Sequence, residues 1–371
     1  MSSRIILLLF AVALLNTQSW LPSSQVESTA FRNEVSNNAN ASTSMEQQQN
    51  IVVEGDIVVE SGTYLIENTC FNLTGKITAS NDATIMIRNA TLLLTTREQT
   101  ILRDGIVLAD RSKLVVENAT IVLGSPNELE QSYVTVGDEA MANITDSELY
   151  GHAYIRGRQN SRIYINRSIL NGYDPFYFPH DVSFSVITQD NSTARIQDSK
   201  LDDTYAKGSS SVYISNSIIQ ERLSVGENCS IEIEDSLLRR VVSGGSGPET
   251  YSISVRDSTI VSFLEVFGNS TVWLTNVSAK EVTACGNCTV WLINSYAEMI
   301  STYDQGNVYI GWQLPLFGII AFPHNWLPIL QGIAFLAASV LTIALLVVLK
   351  RRWKKWQLQK LKQYSQTSPQ S

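Results

Sequence analysis

Three carboxylates stand close together at Asp198, Asp202 and Asp203, and a second set, Glu232, Glu234 and Asp235, follows with Arg195 and Arg256 nearby. Paired carboxylates at a fixed separation can cleave a glycosidic bond, one as acid and one as base or nucleophile. Neither set is complete on sequence grounds. Glu232 and Glu234 are two apart, so on a strand they share a face. There they can meet Arg256 in a surface ion pair. A metal is poorly served. The chain has one Cys-x-x-Cys (Cys285, Cys288) and 3 His, whereas a structural zinc needs four ligands. No metal and no cofactor is expected.

What must position these residues is a repeat. Ile85, Ile87, Asn89, Ala90 and Leu92 recur as Leu114, Val116, Asn118, Ala119 and Ile121, and again around Asn216, Asp235 and Asp257. Weaker copies centre on Asn68, Asp146, Arg167, Asp198, Asn276 and Asn294. The phrase has period 2, so it is a strand. One strand per copy cannot bury its apolar face alone, but stacked copies can. The expected fold is all-β, a parallel β-helix solenoid of about 11–12 coils over residues 51–312. At a strand spacing of about 4.8 Å it makes a rod on the order of 50 Å long. Asn and Asp tolerate the left-handed region and bond their own backbone, so their column is a corner ladder before it is chemistry. Asp198 belongs to that column. Arg167 breaks it, and a local change of coil is expected there.

These coils resemble the right-handed parallel β-helix, pectin-lyase-like superfamily. It includes pectin lyases, glycoside hydrolases, phage tailspikes and surface proteins without catalysis. Irregular loops and the lack of a hexapeptide period favour the right-handed form. The resemblance implies a possible lyase using clustered Asp, calcium and an Arg base, or a hydrolase using paired carboxylates. Asp198, Asp202 and Asp203 are the weak catalytic candidates. The Gly-His-Gly motif of such hydrolases is absent, since Ala153 follows Gly151 and His152. Fold does not fix function.

Off the corner column, two surfaces invite binding. Trp273, Trp291 and Tyr309 occupy the outward mid-strand position of successive coils, where they stack into an aromatic strip for sugars or proteins, or pack under residues 312–325. Residues 171–190 form an insertion carrying Tyr173, Phe176 and Tyr177, suited to recognition or to lying on the rod as a lid. Cys285 and Cys288 can close a local disulfide across Gly286 and Asn287, or remain free thiols. Cys229 and Cys288 share a repeat phase three coils apart, too far to bridge. Sequons lie at several Asn. Those in the ladder column serve the fold, which leaves Asn143, Asn166, Asn191, Asn228, Asn269 and Asn287 as glycan acceptors.

The ends carry localisation signals. Residues 1–19 read as a signal peptide with Arg4 and an apolar run, and 20–50 as a disordered Ser/Asn/Gln-rich spacer. A juxtamembrane segment, 313–325, is broken by prolines; it lies in the interface or caps the solenoid. Residues 326–349 hold no charge and are long enough for a transmembrane helix. The tail, 350–371, has seven basic and no acidic residues, which places it in the cytoplasm. It either lies on an anionic leaflet or only sets orientation. The whole chain carries −8, so the outer part is acidic and unsuited to nucleic acid. The expectation is a single-pass cell-surface protein with an extracellular N-terminal ectodomain. Its expected role is structural, adhesive or glycan-binding and non-catalytic. Its expected partners are the membrane and a cell-envelope polysaccharide or surface protein. The alternative is a membrane-anchored polysaccharide lyase or hydrolase.

Overall fold

The computed structural model describes residues 49–95, 102–124, 131–172, 183–226, 228–244, 250–314 and 318–366. The signal at 1–19 and nearly all of the spacer lie outside them. Two compact units are present. Glu46–His324 is one, and the chain from Asn325 onward belongs to the other.

The first unit is a parallel β-solenoid of about 11 turns. Each coil has three faces. In one coil the first-face strand is Thr84–Arg88, the second Thr91–Thr95 and the third Leu102–Leu108, and Lys113–Glu117 opens the next coil. First-face strands stack in register: Ile85 lies on Leu114 and Ile87 on Val116. The inward residues of this register are fully buried, while Met86 and Val115 face out, as period 2 requires. Burying each Ile or Leu contributes about 1.5–3 kcal/mol. From Lys200–Ala206 onward the second and third faces fuse into one bent strand with a register shift at the bend. That fusion removes the bend loop and explains the tighter repeat after Asp198.

The first corner is where the Asn/Asp column falls. All eleven positions from Asn68 to Asn294 have φ between 46° and 56°. Side-chain amides link coils, as Asn118 Nδ2 donates to Asn89 Oδ1 (2.8 Å) and Asn276 Nδ2 to Asp257 Oδ1 (2.8 Å). Arg167 does not change the coil as expected. It takes the same left-handed turn at φ 47° and pairs with Asp146 one coil back (2.6 Å).

The small residue after each corner has a larger role than fitting a tight space. The backbone N–H of Ser199 donates to Ser217 Oγ (3.1 Å), that of Ser217 to Ser236 Oγ (3.1 Å), and that of Ser236 to Ser258 Oγ (3.0 Å). Each hydroxyl donates in turn to the carbonyl two residues before it, such as Ser217 Oγ to Ser215 O (2.7 Å). Ser217→Ala strips Ser199 N–H of its acceptor inside the rod. A cost of about 1–3 kcal/mol is expected, read by urea unfolding; an unchanged midpoint would remove the ladder's claim to stability.

The solenoid closes differently at its end. Gly318–Pro323 runs antiparallel along Asn307–Leu314. Residues 318–323 therefore close the edge of the first-face sheet at its last coil. Leu327–Gln366, here α1, is a continuous 40-residue helix. Among the described residues, no helix is long and apolar enough to cross a membrane.

Candidate functional site

The carboxylates separate by role. Asp198 sits at the first corner at φ 50°, where its Oδ1 accepts from Asn216 Nδ2. It belongs to the corner ladder. Glu232 meets Arg256 in the expected outward ion pair, with both side chains nearly half exposed.

Asp202 and Asp203 lie at the bend of the fused strand, and both are buried. The bulge makes this possible, since in a regular strand two neighbours cannot share an environment. Asp202 Oδ2 accepts from Gly172 N (2.5 Å) and Phe184 N (3.0 Å). These two residues flank the aromatic insertion, so Asp202 clamps its two feet. Burial raises the Asp202 carboxyl above its ordinary value, against the pull of those two N–H groups.

Asp203 faces outward in register with Ser185 before it and Arg222 after it; Ser185 in turn pairs with Tyr154, and Tyr154 with Tyr133. The two tyrosine rings stack at 5.2 Å, with the Arg156 guanidinium 4.4 Å from the Tyr133 ring. His152 lies 6.2 Å from Tyr154. Burial raises Asp203 despite Arg222 and Ser183, raises Tyr154, and lowers His152. Asp203 Oδ1, Ser185 Oγ and Arg156 Nε are buried without a hydrogen-bond partner. Buried polar groups left over in this way call for strain, a catalytic role or a bound water or ion to account for them. Gly151 has a structural reason: at φ 121° its Cβ would fall 2.0 Å from the Leu123 carbonyl oxygen. With Asp202 committed to Gly172 and Phe184, the bend presents one carboxyl, Asp203, that keeps an oxygen without a hydrogen-bond partner rather than a pair. Among the described residues no group of three acidic, His or Cys side chains is set to hold a metal.

The outward strip forms as the repeat phase implied. Trp273 pairs with Trp291 and Trp291 with Tyr309. Their rings stack at 5.0 and 4.5 Å with interplanar angles of 7° and 17°. The strand spacing of about 4.8 Å matches ring stacking, so coil geometry drives the stack. It also turns the rings edge-on to solvent. Tyr309 is followed by Pro323 of the cap, so the capping strand runs beside the strip rather than over it. Tyr173, Phe176 and Tyr177 lie outside the described residues.

The remaining calls find places on a second corner that sequence reading missed. Asn81, Asp110, Asp138, Gln159, Asp190 and Asn228 have positive φ there, joined by Gly208, Gly268 and Gly286. Asn191, Asn228, Asn269 and Asn287 stand exposed at this corner, whereas Asn143 and Asn166 lie half-buried on first-face strands. Cys229 and Cys288 fill its buried small-residue column beside Ser192, Ser210 and Ser270. All four cysteines are free thiols in the structure, which is one of the two states open to Cys285 and Cys288. Cys288 points into the rod, its Sγ 3.4 Å from Val266 O, and burial pushes its thiol up to about 11. Cys285 stays on the partly exposed side of the turn. The signal for this corner was a glycine or polar residue, any residue, then a small one, five residues before the central outward position, with Asn228 one residue later than the others.

Comparison with protein-family models, with curated proteins and with solved structures finds no match.

Proposed function

We propose that this chain is a single-pass surface protein whose β-solenoid, held at the membrane by α1, binds an extracellular polysaccharide without cleaving it. The observation that carries the binding role is the aromatic stack on a first face, flanked at its Trp273 end by the outward Thr271 and Thr275. What supports the anchor is the uncharged run through Leu349 followed by Lys350, Arg351 and Arg352. Within α1, the five consecutive side chains from Leu345 to Leu349 are apolar and exposed. Five successive helical residues encircle the axis, so no polar side faces water there. A signal peptide and glycans at the exposed sequons belong to the same reading.

A second reading rests on Asp203. A carboxyl raised by burial, in register with Arg222 and within electrostatic reach of Tyr154, suits a general acid for a lyase or hydrolase. One assay separates the two. Incubated with soluble polysaccharides, the full chain is expected to bind them and leave their length unchanged. If reducing ends accumulate, and Asp203→Asn stops them, the enzyme takes the place of the binder.

A further inference from the structure

Three stacked rings have two outer faces. That of Tyr309 looks toward the capping strand, where Pro323 is its register partner. That of Trp273 looks toward the preceding coil, where the partner is Ser254. Serine is too short to cover an indole. Trp273 is 36% exposed, the most open of the three. One coil further back the same outward position is Glu232, which is turned aside in its pair with Arg256. The column therefore has a notch over Ser254. Two strand spacings, about 10 Å, separate the Glu232 and Trp273 backbones, room for one ring lying parallel to the indole.

We infer that this notch is a saccharide subsite, in which one pyranose stacks its C–H face on Trp273 over Ser254. The inference rests on the polysaccharide-binding reading above and assigns it a place. The ligand class follows from the surroundings. Outward neighbours on one side are Ser230, Ser252 and Thr271; on the other they are Glu234, Arg256 and Thr275. The indole is the apolar element among hydroxyls and a compensated ion pair. A partner protein's aromatic side chain would bring apolar flanks with nothing here to cover them. A pyranose is apolar on its ring faces and ringed by hydroxyls, which Ser254 Oγ, Glu232 and Arg256 can meet. β-Linked glucose units, whose ring substituents are all equatorial, offer the flattest such face.

The test uses the full chain in detergent micelles, titrated calorimetrically with β-1,4-linked hexasaccharides of glucose and of N-acetylglucosamine. Trp273→Ala is expected to weaken binding at least tenfold. Because that change also shortens the stack, Ser254→Trp is the decisive variant. It fills the notch with a fourth ring, and is expected to hold or raise the thermal midpoint while weakening binding at least tenfold. If the wild-type chain binds and Ser254→Trp binds equally well, the notch is overturned and the polysaccharide reading stands. If the wild-type chain binds neither hexasaccharide but retains a longer polysaccharide, the notch is again overturned alone. If it binds no saccharide, both fall.

Discussion

Asp202→Ala is expected to cost about 2–5 kcal/mol of folding stability, the largest loss for a single polar side chain in the rod. The reason is geometric. Asp202 Oδ2 is the acceptor for two buried N–H groups, Gly172 and Phe184, which frame the insertion. Alanine leaves both without an acceptor. Asp202→Asn keeps an oxygen in place and is expected to lose much less. The two variants also differ in pH response. Burial raises the folded pKa of Asp202 above its unfolded value. The proton is therefore held more tightly in the folded state, and the stability it contributes is full below the unfolded pKa. It is lost as pH rises through the raised folded pKa. Asp203 has the same sign. Wild-type stability at mildly acid pH should thus exceed what the asparagine variant shows relative to its own neutral value. Urea titrations across that range read it. Equal pH profiles would mean that Asp202 does not change protonation between the folded and unfolded states.

The sequence exposed the solenoid because each coil must meet the same demands. An inward pair such as Ile231 and Ile233 has one environment, and an αL corner narrows the choice to Asn, Asp or Gly. The second corner was hidden because its demand is weaker. Gln159, Asp190, Gly208 and Asn228 all satisfy it, and the buried position that follows takes Ala83, Ser112, Cys229 or Tyr251. No residue type repeats often enough to show a column. The bend was hidden for another reason. Period 2 assigns opposite sides to Asp202 and Asp203, and only the bulge, which leaves no mark in composition, buries both. The strip shows a third limit. Phase aligned Trp273, Trp291 and Tyr309 correctly, but phase says nothing about side-chain torsions. The stack turns ring edges to solvent, which the repeat phase alone does not show.

The proposed membrane anchor makes the second large prediction, and its arithmetic sets the variant needed. Residues 327–349 of α1 rise about 35 Å, enough for about 30 Å of hydrocarbon. They include 14 Leu, Ile, Phe and Val. On an insertion scale these contribute roughly −4 to −8 kcal/mol together. One arginine near the middle costs about 2.5–3.5 kcal/mol, which such a segment can absorb. Two cost about 5–7 kcal/mol and cancel it. Ala338→Arg alone should therefore leave the chain in the membrane fraction after alkaline carbonate extraction. Ala338→Arg with Leu341→Arg should move it into the supernatant or prevent its insertion. The two positions are three apart and share a face, so one side of the helix becomes cationic. Were the wild-type chain itself to extract with carbonate, the proposed anchor would fall, and the single-pass surface reading with it.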